Sequence, residues 1–99
     1  MYKLWLDDCR PAPEGWTWHL HVDNMIDDIK WLMCHGDTIE MISLDNDLGE
    51  LEKEGYKVLD WLESLQVPIE FGINIHSANP VARDRMRAII QRNGWMEVR

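Results

Sequence analysis

The sequence predicts an open α/β fold: a mostly parallel sheet of about five strands with helices packed on it. Three observations predict it. Short apolar runs alternate with amphipathic helical stretches along 99 residues, the pattern of strand–helix–strand units joined by right-handed crossovers. Three of the runs end in chemistry-bearing residues: KLWLDD at 3–8, MISLDND at 41–47 and INIHSANP at 73–80. The length fits one domain, residues 1–99, and 45 % apolar residues suffice for a core. In such a sheet the carboxyl ends of the strands lie side by side and form the crevice where ligands bind.

The elements follow in order. Residues 2–7 read as a strand, apolar on both faces because Trp5 opposes Leu4 and Leu6. CRPAPEG at 9–15 excludes a regular helix, with Pro11 and Pro13 two apart and Gly15 following. Trp16–Leu20 is a short second strand. A helix spans about 24–34, capped by Asp23, with Met25, Ile26, Ile29, Leu32 and Met33 inward and Gly36 at its end. Ile39–Leu44 is the third strand, and 45–54 is a polar loop. Val58, Leu59, Leu62 and Leu65 place a helix over 55–65. Ile69–Ile75 is the fourth strand. Asn79 caps a helix that has Pro80 in its first turn, Val81, Met86, Ile89 and Ile90 inward, and Gly94 after its end. Trp95–Val98 is a last short strand. Right-handed crossovers are expected to set helices on both faces of the sheet.

Net charge is −8, unevenly spread: residues 1–75 carry −11 and residues 76–99 carry +3. An acidic body argues against binding duplex nucleic acid through its phosphates. It allows a local anion site beside the basic tail, or a metal bridging carboxylates to an anionic ligand; the alternative is an arginine-rich solvated helix face. No stretch approaches a membrane span, and the N-terminus does not read as a signal peptide. Cys9 and Cys34 have no metal-binding spacing. A cytoplasmic, reducing location is expected. Six Trp against one Phe either pack the small core or leave aromatic surface for a protein partner.

Asp7 and Asp8 end the first strand. Neighbours on a strand point to opposite faces, so Asp8 is expected to turn into the crevice. Asp45 and Asp47, two apart, face one side. Carboxylates gathered this way repel, and a hard cation, Mg²⁺ or Mn²⁺, relieves the repulsion through oxygen ligands. Without one, a carboxylate has a raised pKa and can serve as an acid. The alternative is that these aspartates only cap loops and helices. His76 can move a proton near neutral pH. Ser77, the N–H groups at 78–82, Arg83 and Arg87 suit a phosphate. Arg10 is either a second phosphate clamp or the partner of the aspartates. There is no Walker loop, dinucleotide glycine fingerprint, HExxH or GxSxG.

An acidic pair after the first strand, an Asp after the third and a hydroxyl residue after the fourth resemble the response-regulator receiver fold, a three-layer flavodoxin-like architecture. The first helix is replaced here by the Pro-rich loop, and no helix follows the last strand. The motifs LDDCRPAPEGW at 6–16, ISLDNDLG at 42–49 and HSANP at 76–80 are similar to those of the cyclic-phosphate processing receiver-like domains. That resemblance implies action on cyclic phosphates of nucleotides or RNA ends. It implies Asp7, Asp8, Asp45 and Asp47 as metal ligands and His76, Asp45 and Asp47 as catalytic residues. Arg10, Ser77, Asn79 and Arg83 become the phosphate contacts. The partner is then a small nucleotide or single-stranded RNA terminus. Two other readings stay open: a non-catalytic module that binds a cyclic nucleotide or a protein, and a receiver phosphorylated on Asp45.

Overall fold

The computed structural model describes residues 1–99. Its elements are β1 (Tyr2–Leu6), β2 (Thr17–His19), α1 (Val22–Cys34), β3 (Ile39–Leu44), α2 (Tyr56–Leu65), β4 (Gly72–Ile75) and α3 (Pro80–Arg92). The strands form one sheet in the order β2-β1-β3-β4, every pair parallel. This is the receiver-like α/β class that the sequence predicts. No helix is long and apolar enough to cross a membrane.

The fifth strand shrinks to one parallel bridge, Ile73 with Glu97. Ile73 N–H donates to the Met96 carbonyl and Val98 N–H to the Ile73 carbonyl. β4 starts at Gly72 rather than Ile69, since Pro68 has no N–H to enter a ladder. Ile69 and Phe71 still pack on the core.

Alternation along the strands fixes what each face carries. Leu4, Leu6, Ile42, Leu44 and Ile73 belong to a core of 18 buried residues that also holds Met25, Ile29, Leu59, Leu62, Met86 and Ile90 from all three helices. The helices pack side by side, α1 on α2 and α2 on α3. They therefore cover one face only, which departs from the expected helices on both. The cause is direction. β2 to β3, β3 to β4 and β4 to the last strand all step the same way, so right-handed crossovers put every helix on the same side. Only β1 to β2 steps back, and its connection is the Pro-rich loop. The second face is left without a helix.

Smaller differences have local causes. Asp23 does not cap α1; the N-cap is His21, which makes no side-chain cap bond. Asp23 sits in the first turn, where its charge suits the helix dipole, and takes a hydrogen bond from Lys53 at 2.8 Å. Met33 is exposed, and Val81 is 72 % exposed while Ala82 is buried in α3's first turn. Gly55 is required by close approach: a Cβ there would overlap the Asp45 carbonyl oxygen. Its N–H donates to the Asn46 carbonyl at 2.8 Å, pinning the loop after β3 to the start of α2.

Candidate functional site at the strand ends

The same alternation places the site. If Leu6, Leu44 and Ile75 point to the helices, then Asp7, Asp45 and His76 point to the opposite face. The ladder runs on to hold them: Asp45 N–H donates to the Leu6 carbonyl at 2.9 Å and His76 N–H to the Leu44 carbonyl at 3.0 Å. One step below lie Trp5, Ser43 and Asn74, mutually in register.

Asp7 is fully buried and its oxygens are saturated. Oδ1 accepts from the N–H groups of Cys9 (2.8 Å) and Arg10 (2.9 Å). Oδ2 accepts from Arg10 Nε (3.0 Å) and meets His76 Nε2 at 3.1 Å. Burial works to raise its pKa, but the two backbone donors, His76 and the Arg10 charge outweigh it and hold the carboxyl below its ordinary value. Asp45, 9 % exposed, moves the other way. Burial raises its pKa and the Asp7 charge adds to it, against the single N–H of Asn46 and the positive charges nearby.

His76 is held on three sides. Its ring stacks on Trp5, centroids 3.9 Å apart and 7° from parallel. Nδ1 lies 2.7 Å from Ser43 Oγ, and Ser43 Oγ lies 2.7 Å from Asn74 Oδ1. Burial lowers its pKa, with Asp7 opposing, so the neutral imidazole is favoured near pH 7. A carboxylate accepts only, so Nε2 carries a proton toward Asp7, while Ser43 Oγ donates its single proton to Asn74 Oδ1 and has none left for Nδ1. Both ring nitrogens thus face groups inside the protein.

Asp7, Asp8 and Asp45 each bring a carboxylate oxygen into one group, all within 4.8 Å of one another. These are hard oxygens of the kind that ligate Mg²⁺ or Mn²⁺. Asp7 has no acceptor site to spare, so Asp8, which makes no hydrogen bond, and Asp45 are the residues that would hold such an ion directly. Asp47 lies outside this group. It is exposed, with Oδ1 3.3 Å from Asn46 Nδ2 and Oδ2 3.4 Å from Asn79 Nδ2.

Arg10 is the partner of the aspartates: besides Asp7, its Nη2 donates to the His76 carbonyl at 2.8 Å and lies 3.8 Å from Asp45. The N–H groups at the start of α3 are filled by the chain itself. Asn79 N–H donates to Ser77 Oγ, and Asn79 Oδ1 accepts from Val81 and Ala82. What remains for an anion is the Ser77 hydroxyl hydrogen, the Ala78 N–H and Arg83. Of the C-terminal arginines, Arg83 has no side-chain partner, whereas Arg87 pairs with Glu97, Arg92 with Glu63 and Arg85 lies over Tyr56. A surface cleft at the opposite end of the strands is lined by Met33, Ile39, Pro68 and Phe71 with Asp37, Thr38, Glu40 and Glu70, and holds no histidine or arginine.

Sequence reasoning missed Trp5, Ser43 and Asn74, which support His76 from below. The signal was present: Ser43 and Asn74 are polar residues inside otherwise apolar strands, each two places before a site residue.

A parallel sheet with an acidic pair after β1, an aspartate after β3 and a hydroxyl residue after β4 defines a receiver-like domain. The chain belongs to the cyclic-phosphate processing receiver domain family, whose model matches residues 2–92. No curated protein and no solved structure matches it.

Proposed function

We propose that the protein is a metal-dependent phosphoesterase that opens a cyclic phosphate on a small nucleotide or a single-stranded RNA end. The observation that carries this reading is the meeting of Asp8 and Asp45 at the strand ends, in a chain of a cyclic-phosphate processing family. A divalent ion held by Asp8 and Asp45 would supply Lewis-acid stabilisation of phosphoryl charge. The chain's own residues do the rest. The Ser77 hydroxyl and Arg83 bind phosphoryl oxygens. Asp47, exposed and steadied by Asn79, accepts the proton of the attacking water. Water oxygen bonds to phosphorus, one ribose P–O bond breaks, and the leaving oxygen takes a proton. His76 is the donor for that proton, and its Nε2–H must exchange Asp7 for substrate to deliver it.

That requirement favours a second reading on a specific observation. With both His76 nitrogens turned to protein groups, the site is equally built to hold a cyclic phosphate without cutting it. The decisive experiment incubates the protein, with Mg²⁺ or Mn²⁺, with 2′,3′-cyclic nucleotides and RNA ending in a 2′,3′-cyclic phosphate. Turnover that Asp8→Ala and Asp45→Asn abolish supports the phosphoesterase. Metal-dependent binding with no turnover supports the binding module, and neither binding nor turnover defeats both.

A further inference from the structure

The helix-free face of the sheet carries a row of aromatic rings that ends at the carboxylates. Trp18 on β2 is in register with Trp5 on β1. Trp5 is enclosed, with His76 stacked on it and Trp16 edge-on at 5.8 Å between centroids. Its Nε1–H donates to the Arg10 carbonyl. Trp18 has no ring against it and is 44 % exposed. It is nevertheless fixed, because its Nε1–H donates to the Asp7 carbonyl at 2.7 Å. An exposed indole is therefore tethered to the backbone of the acidic pair, on the same face as Asp7, Asp45 and His76.

We propose that Trp18 is the platform on which the base of a nucleotide stacks while its phosphate occupies the carboxylate site. The inference rests on the phosphate site proposed above and adds the residue that holds the base, so that a nucleoside phosphate binds better than a base-free sugar phosphate. Three features favour this occupant. A nucleotide joins a flat apolar ring to an anion through one ribose, and here an open indole lies one hydrogen bond from a residue of the carboxylate group. Stacking on a tryptophan tolerates any base, and a single ring with no adjacent donor pattern reads no sequence. The indole is bonded to the backbone of the Asp7-Asp8 pair, whereas the centre of a protein interface is depleted of charge.

The test compares dissociation constants, by calorimetry with Mg²⁺, for uridine 2′,3′-cyclic phosphate and for methyl riboside 2′,3′-cyclic phosphate, which lacks the base. The wild type should prefer the nucleotide. Trp18→Ala should weaken the nucleotide roughly 5- to 150-fold more than it weakens the base-free probe. Trp18→Phe should keep most of the preference and Trp18→Leu lose it, although both lose the bond to the Asp7 carbonyl. Equal weakening of both probes would mean that Trp18 acts only through Asp7 and would overturn the inference. Equal binding of both probes by the wild type overturns it too, while leaving the phosphate site standing. If Trp18→Ala spares nucleotide binding but dissolves a self-associated species in sedimentation, the face is a protein contact and the inference fails. Binding of neither probe removes this inference and the proposed function together.

Discussion

Asp7→Asn should switch the tautomer of His76 at a modest cost in stability. In the wild type near pH 7 the neutral imidazole directs Nε2–H to Asp7, and Nδ1 faces the Ser43 oxygen. Ser43 Oγ donates to Asn74 Oδ1 at 2.7 Å, which leaves Nδ1 without a proton donor. In the variant the amide oxygen keeps the Cys9 and Arg10 backbone donors, and the amide nitrogen faces His76 Nε2. That nitrogen can donate, so the imidazole moves its proton to Nδ1, Nδ1 donates to Ser43, and Ser43 goes on donating to Asn74. The imidazole loses no bond. The uncompensated loss is the Arg10 Nε bond at 3.0 Å. A charged hydrogen bond of this kind contributes about 1.5–3 kcal/mol, but the Arg10 side chain is 54 % exposed and water takes over part of it. Relief of the repulsion between Asp7 and Asp45 offsets a little more. The expected loss is about 1–2 kcal/mol. Long-range proton–nitrogen correlation spectra read the tautomer, and urea melts in EDTA read the stability. An unchanged Nε2–H tautomer, or a loss above about 4 kcal/mol from leaving Arg10 and His76 both unpaired, would refute this reasoning.

Three further outcomes follow from the same contacts. Asp45→Asn should stabilise the metal-free protein at neutral pH and abolish any Mg²⁺-induced rise in melting temperature. Its pKa is raised in the fold above the ordinary 3.8, so ionised Asp45 destabilises above the folded pKa. The variant's advantage should vanish as pH falls below 3.8. Gly55→Ala should cost about 3 kcal/mol or lower the melting temperature by roughly 10–20 °C, because the new methyl meets the Asp45 carbonyl. A melting temperature within a few degrees of wild type would count against the close approach. Glu63 is held at about 2 by Arg92 and Asn93, against an ordinary 4.5. Its contribution is therefore present above 4.5 and lost as pH falls toward 2, and Arg92→Ala should flatten that stretch of the stability–pH curve.

Much of this was legible in the sequence because local signals and strand alternation agree. β3 falls on 39–44, and the Asn79-Pro80 start of α3 is as expected, since a capping amide and a proline without an N–H act within one turn. The convergence of Asp7, Asp8, Asp45 and His76 on the strand ends follows from parallel topology. What could not be read depended on contacts between distant segments. The N–H groups expected to form an anion nest are consumed by Ser77 and Asn79. Arg10 pairs inward because Asp7 is buried beside it, and no spacing within DDCR distinguishes that from a solvent-facing clamp. Asp47 leaves the carboxylate group because the chain is no longer extended past Asp45: Asn46 turns inward, accepts from Tyr56 N–H and contacts Glu54. Two residues apart means one face only while a strand continues.

The layering links fold to site. One backward step in strand order, from β1 to β2, has a loop where a helix would otherwise lie, and the three forward steps place their helices on the other side. Asp7, Asp45 and His76 consequently emerge on the face that no helix covers. Burial of Asp7 there depends on its own loop, Arg10 and the His76–Trp5 stack rather than on a covering layer. Trp5 and Trp18 then have a structural task that composition alone did not reveal. Their indole N–H groups bond the carbonyls of Arg10 and Asp7, fastening both ends of the acidic turn to the sheet. The same tryptophans that leave the face apolar also set the geometry of its carboxylates. A substitution at Trp5 should therefore disturb His76 and Asp7 together, whereas one at Trp18 should reach only the Asp7 carbonyl.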